Sequence, residues 1–154
     1  MGIEDDIRFI ERVPTLRMLG NTALRILAIG AESRSMAAGD VLFTAGEPSD
    51  CGYIVQDGSF DVVAPSRSLG TLVVGPGTLL GELALIAETR RPATATAREP
   101  STVMRISRSL FLKMLEGYPE AAYILREQIV GRAQQALTEM ADVRAALDTR
   151  PGPE

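Results

Sequence analysis

The residues best equipped for chemistry fall in one short stretch. Leu79-Leu80-Gly81-Glu82-Leu83-Ala84-Leu85-Ile86 is followed closely by Arg90-Arg91-Pro92-Ala93-Thr94-Ala95-Thr96-Ala97. A glycine at the mouth of a short helix lets backbone approach a ligand closely, and the first amides of that helix point at an anion. Arg91 stands nine residues after Glu82, at the start of the next strand. Its guanidinium can grip a phosphate through two parallel charge-assisted hydrogen bonds that a lysine cannot reproduce. Glu82 supplies acceptors suited to a hydroxyl. Backbone donors, one carboxylate and one arginine inside an apolar barrel describe a pocket for a small ligand carrying both a hydroxyl and a phosphate. The rival reading of the same pair is a plain Glu82–Arg91 salt bridge.

These groups need a scaffold, and the chain divides into three parts that can provide it. Residues 1–32 read as helical, with Ile3, Ile7 and Ile10 or Phe9 near helical spacing. Pro14 separates them from a second pattern through Leu24, Leu27 and Ala28, with Asn21 or Thr22 as N-cap. Residues 33–106 change character: short runs of Val, Ile, Thr and Tyr are punctuated by glycines. Strands are expected at Arg34–Ala37, Val41–Thr44, Gly52–Gln56, Ser59–Ala64, Gly70–Val74, Ala93–Ala97 and Thr102–Ile106. Short strands at such spacing must pair with one another to satisfy their backbones, which favours a sandwich or jelly-roll barrel.

Helix returns over 107–147. Ser107 or Ser109 caps a short helix ending at Gly117, and Pro119 suits the first turn of a long one. In that long helix Ile129, Ala133, Ala136, Met140, Val143 and Leu147 recur at alternating spacings of four and three, which aligns them in one seam. The seam packs either on the barrel or on the same helix of a second copy. Residues 148–154 read as a disordered tail.

Composition removes whole classes of function. The 154 residues contain no histidine, so a Ser-His-Asp triad, a Cys-His dyad and a His-rich metal site are excluded. A cupin-type metalloenzyme on a jelly roll loses its usual ligands for the same reason. The single cysteine, Cys51, can form neither an internal disulfide nor a thiolate cluster. Sixteen Lys and Arg against twenty Asp and Glu give a net charge of −4, which argues against nucleic acid or an anionic membrane as partner. No signal peptide and no run of about 18 apolar residues is visible, so a cytoplasmic setting is expected.

At the cassette the sequence resembles the cyclic nucleotide-binding domain family, the sensor modules of cyclic-AMP receptor proteins, of protein kinase A regulatory subunits and of cyclic-nucleotide-gated channels. The family's phosphate-binding cassette reads Phe-Gly-Glu-Leu/Met-Ala-Leu, a short loop, then Arg-x-Ala-Thr/Ser. Gly81, Glu82, Leu83, Ala84 and Leu85 match in order, Arg91 falls at the family's spacing, and Ala93 and Thr94 follow. The segments Gly39-Asp40-Val41-Leu42-Phe43, Gly46-Glu47-Pro48-Ser49-Asp50, Tyr53 to Gly58 and Leu72 to Gly77 resemble the glycine-punctuated β-roll. The likeness runs over about residues 7–147. It implies a mostly β fold with flanking helices: a double-stranded β-helix, or jelly-roll β-roll, with N-terminal helices, a cassette at 80–94 and a C-terminal lid helix. It also implies site roles. Glu82 accepts from the ribose 2'-hydroxyl, Arg91 binds the exocyclic phosphate oxygens, and the amides of Gly81, Leu83 and Ala84 complete the cradle. Leu72, Val74 and Leu80 line the purine pocket, and Pro92, Ala93 and Thr94 continue the cassette. No cofactor is implied beyond the ligand, cAMP or alternatively cGMP.

The sequence departs from the family pattern at three positions. Pro92 has neither N–H nor hydroxyl where many members have Ala, Ser or Thr. A lost bond to a charged group is worth about 1.5 to 3 kcal/mol, roughly one to two decades in dissociation constant. The missing threonine also favours cAMP over cGMP. Leu80 replaces the usual Phe, and Arg90 adds a second cation, either solvated or extending the phosphate field. Seven residues follow Leu147, too few for a DNA-binding helix-turn-helix. The expected role is therefore a non-enzymatic, stand-alone sensor, or a fragment of a longer protein. Its C-terminal helix changes contact with an unidentified downstream protein or forms a homodimer. The alternative is a degenerate relative that binds no nucleotide and serves as an oligomerising scaffold.

Overall fold

Pro14 divides the N-terminal helical region but does not end it. The computed structural model describes residues 2–65, 70–119, 122–128 and 130–131. Its first element is α1 (Ile3–Glu11), with Glu4, Asp5 and Asp6 in the first turn, where carboxylates complement the helix dipole. Pro14 occupies the first position of a further short helix, α2 (Pro14–Arg17), where a missing N–H costs nothing. α3 (Asn21–Gly30) follows. Gly20 takes the N-cap position, so Asn21, expected there, is the first helical residue.

Among the described residues ten strands come next: β1 (Glu32–Met36), β2 (Val41–Phe43), β3 (Pro48–Ser49), β4 (Cys51–Asp57), β5 (Phe60–Val63), β6 (Thr71–Val74), β7 (Leu79–Leu80), β8 (Thr89–Arg90), β9 (Thr94–Ala97) and β10 (Ser101–Ser107). Every expected strand is present, with ends displaced by at most two residues. β3, β7 and β8 were not foreseen. Each has two residues, too few for an alternating pattern, and β3 contains a proline, which is poor in strands. The strands form one sheet in the order β1-β10-β4-β7, a second in the order β2-β9-β5-β6, and a ribbon β3-β8, all antiparallel. The β4–β5 turn needs Gly58. Its φ is +85°, and a Cβ there would collide with Ser101.

The central strands β4 and β10 of the first sheet are covered on both faces, which explains why β4 carries five consecutive buried residues, whereas the edge strand β1 is exposed. Cys51, Tyr53, Val55 and Val103 face the roll interior with Phe43, Phe60, Val74, Leu80 and Ala95. Ile54, Met104 and Ile106 face the other way, against Ile7, Leu16, Leu24, Leu27 and Phe111 of the helices. Ser107 caps α4 (Arg108–Glu116) by accepting from the Leu110 amide at 3.1 Å, and Gly117 ends it. Helix resumes at 119, and residues 122–128 and 130–131 are helical, with Leu125 buried. The rest of the expected long helix, all six residues of its apolar seam and the tail lie outside the described residues.

Phe60 is completely buried in the roll, whereas Asp61 beside it faces solvent and pairs with Arg98. Phe60→Ala should lower unfolding free energy by about 3 to 5 kcal/mol in a urea titration. Asp61→Ala should change it by under about 1 kcal/mol.

Candidate functional site

The cassette begins where β7 runs out. Leu80 is paired with Tyr53 of β4, and Gly81 then turns the chain with φ +81°. Glu82 stands at the mouth of a single 3-10 turn, Leu83–Leu85. Within the turn Ala84 N–H donates to the Gly81 carbonyl at 3.1 Å and Leu85 N–H to Glu82 at 3.2 Å. The Ala84 amide, expected in the phosphate cradle, is thus engaged inside the turn. Leu83 N–H precedes the first of these bonds, as the opening amides of a helical turn do. Ala84, Leu85 and Ile86 are buried and seat the turn.

Arg91 follows the β3-β8 ribbon. Its N–H donates to the Glu47 carbonyl at 2.8 Å, and its own carbonyl accepts from Gly46 N–H at 2.8 Å, so the backbone is clamped on both sides. The side chain turns inward and is only 6% exposed. Nη2 donates to Cys51 Sγ at 3.3 Å. The guanidinium carbon lies 4.5 Å from the Phe43 ring centroid and 5.5 Å from that of Tyr53, two rings stacked at 6.1 Å. Nη1 is buried and, among the described residues, has no hydrogen-bond partner. It lies so close over Gly81 that a Cβ there would collide with it. A full positive charge is therefore held by ring faces and a sulfur, with one nitrogen unsatisfied. Such burial is unfavourable without an anionic partner.

A cavity of about 270 Å³ opens beside the guanidinium. Leu80, Gly81, Glu82, Leu83 and Ala84 line it from the first limb of the cassette, and Arg91, Pro92 and Ala93 from the second. Phe43, Val62 and Ser49 contribute from other strands. Three expected residues sit elsewhere. Thr94 takes the Ala45 N–H on its hydroxyl at 2.9 Å, a bond between strand segments. Val74 packs in the roll core beside its partner Phe60. Leu72 is 63% exposed opposite Val62. Arg90 donates to the Gly46 carbonyl at 2.8 Å and lines the cavity mouth.

Glu82 makes no use of Arg91 as its hydrogen-bonding partner on Oε2. That oxygen accepts from Thr15 Oγ1 of α2 at 2.7 Å. Sequence reasoning also missed Phe43, Tyr53 and Cys51 around the guanidinium. Alternation along β4 places Cys51 and Tyr53 on one face, but nothing in that pattern tells which strand faces Arg91. Tyr53 is neutral and inside the roll. Burial, then the adjoining Cys51, push its phenol above the ordinary 10.0, against the opposing pull of Arg34 and Arg91.

A buried arginine over a glycine turn and a glutamate thus line one small cavity. The family model described as the cyclic nucleotide-binding domain matches residues 33–118. The chain belongs to the cyclic nucleotide-binding domain family. The matched span runs from β1 through the end of α4 and includes the whole cassette. The domain is similar to a cyclic nucleotide-binding-like protein from Brucella abortus, with 42% identity and a TM-score of 0.65 over 73% of this chain and 98% of that one. It is 30% identical over 125 residues, 81% of its length, to a cyclic nucleotide-gated potassium channel of Mesorhizobium japonicum. It is 30% identical over 107 residues, 70% of its length, to the cAMP-dependent protein kinase regulatory subunit of Yarrowia lipolytica. The matches span 34% of the channel and 28% of the kinase subunit. Among the described residues of this cyclic nucleotide-binding domain, no helix is long and apolar enough to cross a membrane.

The raised phenol of Tyr53 gives a pH signature. Above the ordinary value of 10.0 the unfolded chain loses the Tyr53 proton while the folded domain keeps it. The folded state then binds more protons, so stability falls as pH rises, until folded Tyr53 itself ionises. Urea midpoints measured across this window should fall less steeply in Tyr53→Phe than in the wild type. Parallel slopes would contradict the assignment.

Proposed function

We propose that this domain is a sensor for a cyclic nucleotide, with cAMP preferred. Arg91 holds the cyclic phosphate, and Glu82 accepts from the ribose 2'-hydroxyl. The observation that carries the reading is the Arg91 guanidinium, buried beside the cavity with Nη1 unsatisfied. A phosphate on that nitrogen completes its hydrogen bonding and neutralises a charge otherwise desolvated without a carboxylate, a charge-assisted contact that weak hydration of guanidinium favours. The Leu83 amide and the open Gly81 turn receive the remaining oxygens. Leu80 and Val62 supply apolar walls, and exposed Leu72 extends the same face of the sheet. Pro92 leaves that position without hydroxyl or N–H, which is the basis for preferring cAMP to cGMP.

In this reading the domain binds and performs no chemistry. The output runs through the C-terminal helices to a protein contact, either a second copy or a downstream partner. Arg108, in the first turn of α4, supports that route. Its Nε donates to the Ala84 carbonyl of the cassette at 2.8 Å and its Nη2 to the Ser49 carbonyl. A shift in the cassette is thereby transmitted to α4.

Titration calorimetry with cAMP and cGMP tests the reading. The wild type should bind one cAMP per domain, more tightly than cGMP. Arg91→Ala should lose about hundredfold or more in affinity, in keeping with removal of one member of a buried charge contact. Absence of heat with wild-type protein, or unchanged binding by Arg91→Ala, would overturn it.

A further inference from the structure

Thr15 reaches the Glu82 carboxylate from a part of the chain that the cassette motif does not contain. Its hydroxyl donates to Glu82 Oε2 at 2.7 Å across 67 residues of sequence. Thr15 is 2% exposed and belongs to the helical layer, while Glu82 lines the cavity. The donor is firmly placed. Pro14 sets the start of α2, the Val13 carbonyl accepts from Leu16 and Arg17 N–H at 3.0 Å, and Leu16 is completely buried. The acceptor is a long side chain with several rotatable bonds, so a bond from a firmly held donor narrows the directions it can take.

We propose that Thr15 is a positioning residue: it fixes the Glu82 carboxylate toward the cavity and so sets how strongly the site prefers a ligand bearing a ribose hydroxyl over one lacking it. This rests on the cyclic-nucleotide reading of the cavity. An ionised carboxylate has several acceptor sites, so a bond from Thr15 to one oxygen leaves the group able to accept from a ligand as well. Fixing the carboxylate before binding removes rotamers that the ligand would otherwise have to freeze, and a preoriented acceptor gives the hydroxyl its full bond. A ligand without that hydroxyl gains nothing from the arrangement. Thr15 thus acts through Glu82 on one atom of the ligand, and its effect shows in a ratio of affinities rather than in affinity alone.

The test is calorimetry on the full chain with cAMP and with 2'-deoxy-cAMP, using wild type, Thr15→Val and Thr15→Ser. Wild type should favour cAMP. Thr15→Val should shrink that preference by about three- to tenfold while binding 2'-deoxy-cAMP nearly as wild type does, and Thr15→Ser should restore it. If Thr15→Val does not fold, Thr15→Ala carries the same comparison. A Thr15 that merely supports the fold lowers both affinities together or only the melting temperature, and an unchanged ratio overturns the proposal. A ratio that rises in Thr15→Val also overturns it, because Thr15 would then compete with the ligand. Wild-type protein that binds neither nucleotide defeats the functional reading as well, and is distinguished from the other outcomes by the wild-type titration alone.

Discussion

A guanidinium buried, among the described residues, without an ion-pair partner is the constraint around which this domain is arranged. Moving an unpaired charge out of water is among the most unfavourable steps a fold can contain. Around Arg91 that penalty is offset only in part, by the Phe43 and Tyr53 ring faces and by a bond to Cys51 Sγ. The surroundings follow from the need to keep it there. Gly81 has no Cβ because the guanidinium occupies that space. Gly46 and Glu47 clamp the Arg91 backbone. β4 must present Cys51 and Tyr53 inward while Ile54 faces the helices, so its two faces serve two cores.

Two side chains outside the cassette tie it to the rest of the domain. Arg108 holds the middle of the 3-10 turn at the Ala84 carbonyl, and Thr15 bonds to the Glu82 side chain at its mouth. The short turn therefore lies between α4 on one side and α2 on the other. In the proposed reading, a ligand that draws the cassette toward Arg91 would pull on both, a physical route from the cavity to the helical layer. The route consists of hydrogen bonds to short, well-packed elements, and packed elements shift as units rather than deform continuously.

Much of this was legible in the sequence where the local code is strong. The roll was readable because glycines and β-branched runs alternate at strand spacing, and α4 because Ser107 and Gly117 mark its ends. Gly81, Glu82 and Arg91 were singled out because three residue types at fixed spacing suit one ligand chemistry. The cavity places these three together with Leu80, Leu83, Ala84, Pro92 and Ala93. What escaped is what depends on tertiary contact. Thr15 sits in a four-residue helix with no pattern of its own, and only the fold brings it to Glu82. Val74 shares strand parity with Leu72, yet depth in the roll, which periodicity cannot express, decides that one is core and the other exposed. Thr94 fits the cassette motif but lies in register opposite Val63, where its hydroxyl serves Ala45 instead.

The central claim concerns one nitrogen, Arg91 Nη1, and isotope-edited NMR of arginine side chains observes it directly. Adding cAMP should shift and sharpen the Arg91 guanidinium signals, as expected when a desolvated donor gains a phosphate acceptor, while adenosine, which lacks the phosphate, should leave them in place. Signals that ignore cAMP, or that respond equally to adenosine, would contradict the account.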